Sequence, residues 1–240
     1  MGLLEAENVS KRFGGIWAVR NVSCHIEKGE ILGLIGPNGA GKTTLFNLIA
    51  GNLRPETGTI SFDGTEITRL RPYEICKLGI ARTFQLVKPF LSLTVLQNAL
   101  VGIVHGRPSA PSISAAVDEA TQLLQRVSLA DSANELVGNL SFIGRKKVEL
   151  VRALSTHPSL LLLDEPVAGL NPTETQQYLQ NVQEINREGM TVFIIEHVMR
   201  AVMGISNRII VLNHGEKIAE GSPQEVSQDK RVINIYLGGE

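Results

Sequence analysis

Residues 36–43 combine three glycines with a lysine and a threonine in the spacing G-x-x-x-x-G-K-S/T. Glycines let a backbone wrap closely around a ligand, and backbone amides next to a helix N-terminus attract anions. Lys42 adds a positive charge, and the Thr43 hydroxyl is an oxygen ligand suited to magnesium. The segment predicts a loop that binds nucleotide phosphates. The expected contacts are Gly36, Pro37, Asn38, Gly39, Ala40, Gly41, Lys42, Thr43 and Thr44.

A second group of reactive side chains follows the apolar run at residues 160–163, where Asp164 and Glu165 stand next to each other. Such a run is typical of a buried parallel strand, and open α/β sheets bind ligands at the carboxyl edge. Neighbouring strand residues point to opposite faces, so we expect different roles for the two acids. Asp164 is predicted to contact magnesium, directly or through water, and Glu165 to polarise an attacking water molecule.

The elements that must position these residues alternate between strand and helix patterns. Strands are predicted at residues 3–9, 19–26, 30–35, 59–62, 160–163 and 191–195. Residues 42–50 have helical composition and stop at Gly51, as a helix with a C-terminal glycine does. Residues 72–154 change to a helical pattern and predict an inserted helical subdomain, with a Pro/Ser-rich linker at residues 106–112.

Composition limits the possible partners. The chain has 240 residues, 43% of them hydrophobic, so it can bury a sizeable core. Its formal net charge of −1 argues against a nucleic-acid partner. Cys24 and Cys76 stand far apart and indicate neither a disulfide framework nor a zinc site. No signal-peptide pattern and no apolar run of about 18 residues is found, so we expect a soluble chain that can dock on a membrane protein.

In type and order these motifs resemble the ATPase subunits of ABC transporters over nearly the whole chain. The resemblance implies roles for three more residues. Phe13 stands where this family has an aromatic that stacks on adenine. Gln85 matches the glutamine that senses magnesium and the attacking water, and His197 matches the switch histidine that contacts the γ-phosphate. Residues 168–172 match the D-loop, with Asn171 where many relatives have aspartate.

The resemblance implies an α/β fold with a P-loop NTPase core, made of a mixed sheet with flanking helices and an N-terminal antiparallel β subdomain. We expect a single ABC ATPase domain over residues 1–240. Residues 1–84 and 156–240 would form its RecA-like core with the β subdomain, and residues 85–155 the inserted helical signature subdomain. The implied cofactors are ATP and Mg²⁺, and the implied reaction is hydrolysis of ATP to ADP and phosphate, coupled to transport.

The signature sequence of this family, Leu-Ser-Gly-Gly-Gln, is degraded here. The matching residues are Leu140, Ser141, Phe142, Ile143 and Gly144. Ile143 therefore takes the place of the second glycine, whose amide approaches the γ-phosphate of ATP bound to the opposite subunit in this family. A side chain at that position makes a close approach costly. Ser141 is kept, and we expect it to contact that ATP in trans.

A defect in the signature acts on the partner's nucleotide, because each ATP in the family's dimer lies between one subunit's phosphate loop and the other's signature. We therefore favour a heterodimer with an intact sister ATPase, having one fast and one slow site, and a homodimer stays open. The resemblance also implies two transmembrane permease subunits and, indirectly, an external solute-binding protein. The chain would then work peripherally at the cytoplasmic face of the inner (plasma) membrane.

Residues 79–85, 93–98 and 236–239 are similar to the ATPases of branched-chain amino acid importers. Hydrophobic amino acids, amides or similar small solutes are the expected cargo. Three alternatives stay open: an ATPase of lipopolysaccharide export, a soluble ABC ATPase of DNA repair or translation, and a regulatory subunit that hardly hydrolyses ATP. Residues 82–85 argue against the first, the lack of long inserts or a tandem domain against the second, and Glu165 with His197 against the third.

Overall fold

The computed structural model describes residues 2–85, 88–106 and 112–237. The strands in this part of the chain are β1 (Leu4–Phe13), β2 (Ile16–Ile26), β3 (Ile31–Ile35), β4 (Thr57–Phe62), β5 (Thr65–Glu66), β6 (Ile80–Arg82), β7 (Leu160–Asp164), β8 (Thr191–Ile195), β9 (Arg208–Asn213) and β10 (Glu216–Gly221). The α-helices are α1 (Lys42–Ile49), α2 (Pro72–Leu78), α3 (Val95–His105), α4 (Ile113–Arg126), α5 (Phe142–Leu154), α6 (Pro172–Arg187), α7 (Met199–Met203), α8 (Pro223–Gln228) and α9 (Lys230–Leu237). Short 3₁₀ helices span Ala130–Ser132 and Val137–Asn139.

These strands form two sheets. Six of them make a mixed sheet in the order β10-β9-β3-β8-β7-β6, in which β10 is antiparallel to β9 and the other pairs are parallel. The remaining four make an antiparallel sheet in the order β2-β1-β4-β5. Together with the flanking helices, these sheets confirm the predicted α/β fold class.

The central strands β3, β7 and β8 are buried along their whole length, as parallel strands covered on both faces are. Their side chains alternate between two cores. Phe193 and Ile195 of β8 pack in the core that also contains α1 and the antiparallel sheet. Val192 and Ile194 pack in a second core with residues of α3, α4, α5 and α6. The apolar run of each strand therefore reflects two covered faces.

This topology brings the reactive segments to one edge of the mixed sheet. The chain leaves β3 into the loop that precedes α1, and it leaves β7 at Asp164. Just past the ends of β8 and β6 lie His197 and Gln85. Because these strands are parallel, their carboxyl ends meet at the same edge. The predicted location of the carboxylate pair is thereby explained.

The structure differs from the sequence prediction at β6, which interrupts the stretch expected to be helical. Residues 80–82 pair with residues 160–162 of β7. Three residues are too few to show a strand period, and the pairing that forms them is long-range. Most of the predicted linker at residues 106–112 lies outside the described residues. In the described ranges, no helix has both the length and the apolar character needed to span a membrane.

Candidate active site

The loop between β3 and α1 has a backbone that depends on glycine at two points. The φ angles are 152° at Gly36 and 101° at Gly41. A Cβ atom would lie 2.1 Å from the Leu212 carbonyl oxygen at the first position and 2.1 Å from the Ala18 carbonyl oxygen at the second. Side chains are thus excluded where the loop packs on β9 and β2.

Helix α1 follows this loop directly and leaves its N-terminus open. Its first turn has no acidic residue, and its N-cap, Gly41, offers no side chain to accept a hydrogen bond. The first N–H groups of an α-helix lack partners within the helix, and they give its N-terminus a partial positive charge. The N-terminus of α1 is therefore suited to a phosphate group.

Lys42 lies between the loop and the two predicted carboxylates. Its Nζ donates hydrogen bonds to the carbonyl oxygens of Gly36 at 2.7 Å and Pro37 at 3.0 Å. Burial lowers the pKa of the ammonium group, and the negative charges of Glu165 and Asp164 oppose this effect. The lysine is thus held over the loop, facing the acids.

A cavity of about 290 Å³ opens over the loop and is lined by residues 38–44, Phe13, Ala18 and Glu165. Phe13, at the end of β1, is 51% exposed. An aromatic ring that is half exposed at such a cavity offers a face on which a flat ligand can stack. The structure thus places Phe13, the phosphate loop and Glu165 around one space. Ser141 is not among the lining residues.

Two of the three side chains predicted to be catalytic, Gln85 and His197, approach one carboxylate oxygen of the third, Glu165. Gln85 Nε2 donates to Glu165 Oε2 at 2.9 Å, and His197 Nδ1 lies 3.6 Å from the same oxygen. The residues follow three adjacent strands, β6, β7 and β8. The Glu165 side chain is 14% exposed, while that of His197 is half exposed. The carboxylate is therefore fixed by its neighbours and still open to the cavity.

The backbone at Glu165 adopts a left-handed conformation with φ 47°. Residues other than glycine are held in this region at a cost of about 1–3 kcal/mol, and such residues cluster at functional sites. Here the Glu165 N–H donates to the Ile195 carbonyl at 2.9 Å, and Lys146 Nζ donates to the Glu165 carbonyl at 3.4 Å. Contacts from β8 and α5 thus hold the strained residue in place.

Asp164 has a partner that the sequence analysis missed. Its Oδ2 accepts a hydrogen bond from Arg82 Nη2 at 2.7 Å, and both side chains are buried. Arg82 ends β6, three residues before Gln85, and only its charge and its position in that motif could have singled it out.

Glu196 is a second residue that the sequence analysis left without a role. It is fully buried, and burial raises the pKa of its carboxyl group. Its Oε1 accepts from the Val167 N–H at 2.8 Å and its Oε2 from the His197 N–H at 3.3 Å. It therefore ties the segment after Glu165 to the backbone at His197. An acid directly after the apolar run 191–195 was the available sequence signal.

The signature and D-loop segments are helix starts in the structure. Ser141 is the N-cap of α5, and its Oγ accepts from the Gly144 N–H at 3.3 Å. Asn171 is the N-cap of α6, with Oδ1 accepting from the Glu174 N–H at 3.0 Å. Asn and Asp are equally good N-caps, so the exchange at this position has a structural explanation.

A phosphate loop, an open helix N-terminus and a carboxylate pair at the end of a neighbouring parallel strand together define a P-loop nucleoside triphosphatase. The family model described as ABC transporter matches residues 19–168. A second model, described as branched-chain amino acid ATP-binding cassette transporter, matches residues 216–240.

Comparisons with individual relatives and solved structures give the same family. The chain is 41% identical to the high-affinity branched-chain amino acid transport ATP-binding protein LivG of Salmonella typhimurium, covering 98% of each chain. It superposes on a crystal structure of the ADP conformation of an ATP-binding cassette with a TM-score of 0.89, 34% identity and complete coverage of both chains. A dimeric cassette in a post-hydrolysis state bound to ADP and Pi gives a TM-score of 0.82 at 28% identity, covering 92% of this chain and 98% of that one.

The chain belongs to the ABC transporter family. This confirms the resemblance drawn from the phosphate loop, the carboxylate pair and the residues around them, and with it the assignment as an ATP-hydrolysing enzyme. The roles of the individual site residues stay predictions.

Replacing two glycines of the loop separately tests its geometry. Gly39 and Gly41 both have positive φ, but among the described residues a Cβ on Gly39 meets nothing within 4 Å, whereas on Gly41 it meets the Ala18 carbonyl at 2.1 Å. We expect Gly41→Ala to weaken binding of a fluorescent ATP analogue more than about 10-fold, or about 1.4 kcal/mol. Gly39→Ala is the matched control and should lose far less. Equal losses would contradict a role for the contact with Ala18.

Proposed function

We propose that this chain binds and hydrolyses ATP as a subunit of a membrane importer for branched-chain or related amino acids, amides or similar small solutes. The name of the LivG relative and the match of residues 216–240 to a branched-chain amino acid transporter model support this cargo. The observation that carries the enzymatic part is the convergence of Gln85 and His197 on Glu165, beside the phosphate loop.

For ATP binding, we assign the phosphates to the cavity over residues 38–44. Lys42 would exchange its bonds to two loop carbonyls for bonds to phosphate oxygens, and the open N-terminus of α1 would add amide donors. Phe13 would stack on the adenine ring from the exposed end of β1. Glu165 lines the same cavity, so the terminal phosphate would lie beside its carboxylate.

Magnesium fits the residues around Asp164. In the described ranges, no group of three or more His, Cys, Asp or Glu side chains could hold a metal ion by itself. Proteins typically bind Mg²⁺ through one or two carboxylates together with substrate phosphates. Asp164 Oδ1 is buried without a hydrogen-bond partner in the described part of the chain. We assign Asp164, the Thr43 hydroxyl and the Gln85 amide as its protein ligands, and when bound the ion neutralises phosphate charge.

In hydrolysis, Glu165 would orient and polarise the attacking water through its carboxylate. Gln85 fixes this carboxylate by a hydrogen bond to Oε2, and His197 lies 3.6 Å from the same oxygen and is exposed enough to contact the γ-phosphate as well. Lys42 would stabilise the charge that develops on the phosphate oxygens as the bond to the leaving ADP breaks. Gln85, Glu165 and His197 each follow the end of a strand, while Lys42 begins α1 after the phosphate loop.

A cleft of about 490 Å³ between α2, β6, α3 and α5 is our proposed docking site for the permease. Helix α5 holds both ends of the segment that contains Gln85: Glu149 Oε1 accepts from the Phe84 N–H at 3.1 Å, and Arg152 Nη1 donates to the Lys88 carbonyl at 2.8 Å. All four of these residues line the cleft. A permease segment seated there would press on the residues that position Gln85 against Glu165.

Transport measured in liposomes tests the proposed cargo. When the chain is reconstituted with its permeases, its solute-binding protein and its sister ATPase, we expect ATP-dependent uptake of radiolabelled leucine. Glu165→Gln should stop the uptake while leaving the assembly intact by size-exclusion chromatography. ATP hydrolysis without uptake of leucine, isoleucine, valine or an amide would refute the cargo and leave the assignment as an ATPase standing.

We further propose that the working unit is a heterodimer of two ATPases. Dimeric cassettes exist among the structural neighbours. In this chain Ser141 does not line the cavity over Lys42, in accord with a role toward the nucleotide of another subunit. The first turn of α5 carries Phe142, whose ring approaches Gly169, and the half-buried Ile143. A bulky signature on this chain would weaken only the site that holds the sister's ATP.

Restoring a glycine in the signature tests this asymmetry. In a mixed dimer whose own site is silenced by Glu165→Gln, the remaining turnover occurs on the sister's ATP, opposite Ile143. We expect Ile143→Gly to raise that turnover by on the order of 10²-fold, the usual effect of one backbone donor on a transition state.

The control for this test is the same substitution in a dimer whose sister lacks its catalytic glutamate. There the ATP on Lys42 faces an intact signature, so turnover should not change. No increase in either background would contradict the asymmetric heterodimer and favour a subunit that hardly hydrolyses ATP.

A further inference from the structure

The guanidinium group of Arg82 is buried at a junction of three elements. Nη1 donates to Asn47 Oδ1 of α1 at 2.7 Å, and Nη2 donates to Asp164 Oδ2 of β7 at 2.7 Å. The Cζ atom lies 5.8 Å from the centre of the Phe46 ring and 5.5 Å from that of the Phe84 ring. The arginine is therefore fixed by two hydrogen bonds and by two aromatic faces.

These contacts need a planar fork of donors rather than a positive charge alone. The two Nη atoms donate to acceptors on different elements from the fixed positions of a planar fork, a geometry that a lysine ammonium on its flexible stem does not reproduce. A guanidinium also stays charged when it is buried, so it can neutralise a buried carboxylate at any physiological pH. Asp164 is 2% exposed and would be costly to bury as an unpaired anion.

Arg82 makes the two carboxylate oxygens of Asp164 inequivalent. Oδ2 is occupied by the guanidinium at 2.7 Å. Oδ1 is buried and has no hydrogen-bond partner among the described residues. Lone pairs on a buried oxygen that the protein leaves without a donor are available to a cation. The geometry thus fixes the carboxylate through one oxygen and leaves the other to a ligand.

We infer that Arg82 is a positioning residue that holds Asp164 through Oδ2 and so presents Oδ1 to the magnesium ion that accompanies ATP. The inference rests on the proposed role of Asp164 as a magnesium ligand. It also gives a purpose to the segment 82–85, which the ATPase function had otherwise used only for Gln85. The same short segment then orients both the metal ligand Asp164 and the catalytic Glu165.

The binding of a fluorescent ATP analogue with Mg²⁺ and with EDTA measures the role of Arg82 apart from catalysis. The ratio of the dissociation constant in EDTA to that in Mg²⁺ reports how much the metal strengthens nucleotide binding. We expect Arg82→Lys to reduce this ratio about 10-fold, as the loss of a residue that orients a metal ligand does. The dissociation constant in EDTA should stay unchanged. A ratio equal to that of the wild type, in a variant that still melts cooperatively, would show that Arg82 is only structural.

Two further variants separate the possible failures. Asn47→Ala removes one anchor of Arg82 without touching Asp164, and it should lower the ratio in the same direction by a smaller factor. It also serves if Arg82→Lys does not fold, and an unchanged ratio there would overturn the inference. An increased ratio in either variant would also overturn it, because Arg82 would then compete with the metal.

Asp164→Asn should abolish the magnesium effect, and adding Arg82→Lys to it should then change nothing more. If Asp164→Asn keeps the full effect, the proposed magnesium ligand is wrong. If it abolishes the effect while Arg82→Lys and Asn47→Ala leave it intact, only the inference about Arg82 fails.

Discussion

The left-handed turn of the backbone at Glu165 is the constraint on which the site depends. Strand β7 ends at Asp164, whose side chain stays inside the protein against Arg82. One residue later, φ 47° takes the Glu165 side chain out to the cavity over the phosphate loop. Two adjacent carboxylates thereby reach different surroundings, as their proposed roles toward a metal ion and toward the attacking water require. The turn is strained, and contacts from Ile195 and Lys146 hold it.

The rest of the fold supplies the partners of these two acids. Parallel strands bring Gln85, Glu165 and His197 to one sheet edge. The loop before α1 adds Lys42, which lines the same cavity as Glu165. Helix α5 runs from the signature to the cleft and contacts the Glu165 carbonyl through Lys146 and the Phe84 amide through Glu149. One helix therefore joins the signature, which is proposed to face a partner subunit, the turn at Glu165 and the proposed permease cleft. Conformational changes at any of these three sites could be transmitted to the others through α5 alone.

The sequence was sufficient to predict those features that a local motif encodes. The phosphate loop has fixed spacing, and the buried strands are continuous apolar runs, so the positions of both could be predicted to within a few residues. The same motifs were enough to predict the fold class. Pairs of residues that are distant in the sequence could not be predicted, because no pattern near Arg82 indicates that Asp164 is its partner. The strand β6 was missed for the same reason. The cap at Asn171 was readable, since Glu174 follows three residues later in a capping box.

We propose that this chain carries a complete catalytic apparatus around Glu165 and is impaired only in the signature that it offers its partner. Single-turnover ATP hydrolysis by the full chain mixed with a sister ATPase that lacks its own catalytic glutamate tests this most directly. We predict that hydrolysis proceeds on this chain's nucleotide and falls by about 10²–10⁴-fold in Glu165→Gln, while ATP affinity is kept. Hydrolysis that persists in Glu165→Gln, or that is absent before the substitution, would contradict the proposed role of Glu165.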